Sequence, residues 1–163
     1  MPKWVGDNMS KAFQTSLKIS LNMLRALKYV AWNAHWMSRG PNFYGDHLLF
    51  EKIYIGDDDD SIDNLIDTLA EKMVFLKINV NCPTTFEDIY VASIRSFMDH
   101  QDDLPKSVLG IVYECLQALK YAYEIGKRDN AMSLGMDDYL MATSNHIETY
   151  AYLLQQRVNG WLR

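Results

Sequence analysis

Apolar residues recur every three or four positions at Phe13, Leu17, Leu21, Leu24, Leu27 and Val30, the spacing of one buried helical stripe. The pattern predicts a long amphipathic helix reaching about Met37, with Ser10 as a candidate cap. Arg39-Gly-Pro-Asn ends it, since glycine stops a helix and proline cannot continue the ladder. Leu49, Phe50, Ile53 and Tyr54 form a second stripe, with Asp46 as its expected N-cap. Gly56 and the run Asp57 to Asp60 interrupt that stripe. Four adjacent like charges beside a poor helix former predict a bulge or short loop there. Helical spacing resumes at Ile62, Leu65, Ile66, Leu69, Met73 and Leu76 and is expected to last to about Ile78. After a turn through Cys82-Pro83 comes a short helix from about Thr85 to Met98. Pro105 suits the first turn of the next helix, which Gly126 is expected to break. The last helix is predicted from about Asp137 to Val158.

No useful strand alternation, internal repeat or low-complexity linker interrupts these stripes. Residues 1–10 read as an N-terminal arm and 11–163 as one domain, a length that can bury a single core. Long helices with a short one in the middle predict an all-α fold: a ferritin-like four-helix bundle with a short helix in the crossover connection.

Charge narrows the partners. The formal net charge is −5, against the basic surface that phosphate neutralisation requires. The arm sets Lys3 and Lys11 against Asp7, so strong direct DNA binding is not expected. Cys82 and Cys115 form neither a metal spacing nor a disulfide framework and read as free thiols in a reducing compartment. The chain opens without a secretory apolar segment and has no run of about 18 apolar residues, so a cytoplasmic protein with no membrane partner is expected.

The candidate chemistry gathers at the first turn. His35 closes the first helical pattern, His47 opens the second, and Glu51 lies one turn beyond His47 on the same face. Asp67 and Glu71 repeat that four-residue spacing downstream. Imidazoles with carboxylates are the ligand set of a non-haem iron site. In a continuous helix Asp67 would lie about 30 Å from His47. The two groups can share a metal only if a second subunit packs antiparallel across a two-fold axis, which makes each site twice. An intra-bundle di-iron centre needs Glu-x-x-His pairs, and the sequence contains none. Taken singly, each residue has a plainer explanation. A lone histidine often bonds to backbone, and the carboxylates would be solvated.

Ala34-His35-Trp36, Arg39-Gly-Pro-Asn-Phe and then His47, twelve residues after His35, resemble the signature of the Dps mini-ferritins. Asp67-Thr-Leu-Ala-Glu-Lys resembles that family's second motif, and weaker similarity runs over about residues 12–158. The resemblance implies a hollow homododecameric shell. Ferroxidase centres at its two-fold interfaces would oxidise Fe(II), with peroxide or O2, and ferric iron would be stored inside. It implies His35, His47 and Glu51 as ligands from one subunit and Asp67 and Glu71 from its neighbour, with Trp36 as an electron-supplying residue. Glu51 stands where the family more often has aspartate. The gap from His47 to Asp67 is about five residues longer than the family pattern, so Asp63 with Asp67 is the second choice of acidic pair. Asp137 and Asp138 fall where the family has pore acids, and helix capping explains them equally well.

The expectation is therefore an iron-storing ferroxidase that protects against oxidative damage. The alternative is a non-catalytic ferritin-like structural or assembly protein that kept the shell and lost the activity.

Overall fold

The computed structural model describes residues 9–56, 61–80 and 84–159, with 84–90 described by backbone alone. The expected loop at Asp57–Asp60, Cys82 and most of the N-terminal arm lie outside those residues. The described residues form six α-helices and no strand: α1 (Lys11–Met37), α2 (Phe43–Ile55), α3 (Ile62–Phe75), α4 (Thr84–Asp99), α5 (Leu104–Arg128) and α6 (Leu134–Asn159). A 3-10 turn, Gln101–Asp103, leads into α5.

Local chemistry sets most of the boundaries. Ser10 caps α1 by accepting the Phe13 N–H at 3.0 Å. Ser61 does the same for α3 with the Asn64 N–H at 3.2 Å, and Asp103 caps α5 with Pro105 in its first turn. Ser10 also donates to the Asp129 carboxylate, so the start of α1 is fastened to the end of α5.

α1 is the central element and packs against α5, α2, α4 and α3. Its stripe of Phe13, Leu17, Leu21, Leu24, Leu27 and Val30 is fully buried. It meets Val112, Cys115, Leu119 and Ala122 of α5, and Ile147, Tyr150 and Leu154 of α6, in one core. Burial pushes the Cys115 thiol up to about 12, so it sits in the core as a small apolar group. Tyr139 of α6 reaches across the bundle and donates to the Leu65 carbonyl of α3 at 2.6 Å.

Four boundaries differ from expectation. α2 starts at Phe43, with Asn42 at its cap position. Asp46 is therefore not the N-cap; it is buried and holds Arg157 at 2.5 and 2.9 Å. α3 ends at Phe75, before Ile78, and Lys77 takes a positive φ of 60°. Gly126 does not break α5. A Cβ there would stand 2.5 Å from Met132 Cε and 2.6 Å from the Phe13 ring, so the glycine permits close packing inside the helix. The break falls at Asn130, φ 50°, and α6 begins at Leu134 rather than Asp137. No described helix is long and apolar enough to cross a membrane.

Candidate metal centre

The turn between α1 and α2 builds the site. Ser38 Oγ donates to the Ala34 carbonyl at 2.8 Å and closes the end of α1. Gly40 takes a φ of +79°, which suits glycine. The Phe43 N–H then returns to the Gly40 carbonyl at 3.0 Å and starts α2. This short reversal sets His35 directly against His47. Their rings stack with centroids 3.7 Å apart and planes 25° apart.

Each ring binds the other residue's main chain. Nδ1 of His35 lies 3.0 Å from the His47 carbonyl, and Nδ1 of His47 lies 3.1 Å from the His35 carbonyl. A carbonyl oxygen only accepts, so both Nδ1 atoms carry the hydrogen. In the neutral imidazoles both Nε2 atoms then keep a lone pair, the form in which histidine ligates a metal. Outer contacts that fix tautomer and ring orientation belong to well-formed histidine metal sites. His35 is buried and His47 half-buried.

Glu51 is half-buried on the same helix as His47. Tyr54 stands one turn further and meets His35 edge-on, with centroids 5.2 Å apart. Loss of solvent and then the nearby Glu51 charge raise the Tyr54 phenol above its ordinary pKa. Trp32 stacks on Tyr54 at 5.8 Å and meets Trp36 at 4.8 Å. Trp36 is 57% exposed and therefore is not a core residue.

The acidic half lies elsewhere. Asp67 and Glu71 are exposed on α3. Asp63, the second choice, is paired with Lys28 of α1. Among the described residues no group of three or more His, Cys, Asp or Glu side chains comes together as a metal site. One chain thus unites His35 with His47 but does not gather Glu51, Asp67 or Glu71 with them into a metal-holding group. The bundle interior supplies no substitute. The buried carboxylate among the described residues is Asp46, and Arg157 holds it.

Sequence reasoning missed the Asp46–Arg157 pair, which ties α6 to the first turn of the His47 helix. Its partners stand 111 residues apart, and no local pattern announces such a contact. The Trp32–Tyr54 stack was also missed, although Trp32 sits one turn before Trp36.

Neither a family model nor a curated protein matches the chain. Among solved structures it is similar to the X-ray structure of Dps from Thermosynechococcus elongatus. The two share 16% identity with a TM-score of 0.69, over 93% of this chain and 94% of that one. At that identity the likeness speaks for architecture. The six described helices adopt a Dps-like, ferritin-like fold.

Proposed function

We propose that this chain is an iron-storing mini-ferritin that oxidises Fe(II) at sites shared between two copies of itself. The observation that carries the reading is the His35–His47 clasp, with both Nδ1 atoms engaged and both Nε2 atoms left as donors. The Dps-like fold supports it as well.

Fe(II) is the substrate. His35, His47 and Glu51 of one copy would hold it together with Asp67 and Glu71 of a second, a mixed imidazole and carboxylate set suited to iron. Two Fe(II) ions supply the two electrons that, with two protons, convert one hydrogen peroxide to two waters. Burial of His35 and partial burial of His47 would limit escape of reactive products, and Trp36 would give up an electron. The assembly would be a closed homo-oligomer in the cytoplasm, a dodecamer by its likeness to the mini-ferritins, with ferric iron stored inside.

Anaerobic chain mixed with Fe(II) and then peroxide should oxidise iron faster than buffer, read as ferric absorbance. A variant carrying His35→Ala and His47→Ala should fall to the buffer rate while keeping its helical signal. Native-rate oxidation by that variant would remove these ligands. The second reading is a non-catalytic shell. The longer spacing from His47 to Asp67 favours it, and a wild-type rate no faster than buffer would establish it.

A further inference from the structure

α5 and α6 run antiparallel. Gln155 bonds Tyr113 toward one end, and Lys127 pairs with Asp137 toward the other. Between those ties the two helices leave a groove of about 650 Å³, within the range of small-molecule sites. Half-buried Leu116 and buried Leu140 form its floor, and Met141, 55% exposed, stands on its rim. Tyr113 and Tyr123 line it about 15 Å apart along α5. Both rings are tethered. Gln155 Nε2 donates to the Tyr113 Oη, and the Lys127 ammonium lies 5.2 Å from the Tyr123 ring centre. The second contact shows which charge this wall attracts, since the face of an aromatic ring favours a cation. Asp137 neutralises Lys127, so that ammonium does not oppose a further positive charge.

Two charged side chains line the groove, and they are not equivalent. Lys120 turns to Glu124 on its own helix at 3.8 Å. Glu148 of α6 pairs with no cation among the described residues. The two ties between the helices place Glu148 across from the stretch between Leu116 and Lys120, so it lies between the tyrosines. The groove thus sets an unanswered carboxylate between two aromatic rings over an apolar floor. A formal net charge of −5 adds to the same attraction. We propose that this groove binds an amphiphilic organic cation, a flat apolar body bearing a quaternary or protonated amine. The body rests on Leu116, Leu140 and Met141, and the charged nitrogen meets Glu148 and the tyrosine faces. Glu148 repels an anion, and a bare metal ion finds one lining carboxylate and no imidazole. The groove shares no residue with the His35–His47 pair, so it stands or falls apart from the iron reading.

The test titrates thioflavin T, a flat aromatic cation whose fluorescence rises when its rings are held, into the full metal-free chain. Saturable binding is expected. Glu148→Gln should weaken it at least about tenfold, the scale of a lost charge-assisted contact. Glu148→Asp should keep most of the wild-type affinity, and the dye's uncharged analogue should bind wild type and Glu148→Gln alike. Met141→Arg, on the rim, should abolish saturable binding and leave the helical signal and the mass by light scattering unchanged. Equal dye affinity in wild type and Glu148→Gln would overturn the site, as would absence of binding to the wild type. Loss of the dye in Leu48→Ser, exposed on α2, would move binding to another face and overturn it as well. A changed mass in Met141→Arg would do the same, because a second copy would then be what covers the groove.

Discussion

On its inner side α1 buries Leu17, Leu21, Leu24 and Leu27 without exposure. One or two turns further on, the same helix turns Trp32, His35 and Trp36 toward the seam with α2. The inner stretch spends its serine hydroxyls on main-chain carbonyls. Ser16 Oγ donates to the Phe13 carbonyl at 2.7 Å, and Ser20 Oγ donates to the carbonyls of Ser16 and Ala118. Those hydroxyls are spent on backbone and offer nothing to an ion. The outer stretch does the opposite, spending one nitrogen of each ring on backbone and leaving the other open. A helix bundle that gives its interior wholly to packing has to find its chemistry at a surface. A surface site can be completed by another molecule.

Core truncation should separate the two regions most sharply. Leu24→Ala should cost about 2–5 kcal/mol of unfolding free energy in a denaturant titration. It should leave anaerobic Co(II) binding per folded chain unchanged, with Co(II) as a coloured probe of the imidazoles. Equal losses in both would show that the regions are not separate. Arg157→Gln should act on both. It leaves Asp46 without its bidentate partner at the start of the His47 helix. The cost should be about 1–2 kcal/mol, reduced because Arg157 is partly solvated, and Co(II) binding should weaken with it. Unchanged binding would confine the pair to stability.

The smallest effect lies at the far end of the bundle. Hydrogen bonds first from Arg128 and then from Ser10 hold Asp129 below its ordinary carboxylate pKa. A carboxylate depressed in the folded state adds stability above its unfolded value, and that stability fades as pH falls through the folded one. Asp129→Asn should therefore lower stability slightly at neutral pH and flatten the further loss below about pH 4, where the two curves converge. A variant curve parallel to the wild type at acid pH would remove this contribution.

The parts of this architecture that were legible in the sequence are those written locally. The α1 stripe, the Gly40-Pro41 reversal and the histidines on either side of it are short-range patterns, and the structure places them as expected. Gly126 misled because a glycine needed for close packing against Phe13 and Met132 looks, in sequence, like a helix stop. Asp46 misled because an acid near a helix start reads as a cap until its distant arginine is seen. The acidic pair is a different case, named from its four-residue spacing and its resemblance alone. Among the described residues no contact singles out Asp67 and Glu71 from other exposed carboxylates. The role proposed for them depends on geometry between two chains, which local sequence does not write.

The crossed bonds between the two histidines make them a single mechanical unit. Removing either ring takes away the face on which the other stacks, 3.7 Å between centroids, so loss of one imidazole slackens its twin. Such a pair should be kept or discarded together. A lineage that lost one would gain little by holding on to the second.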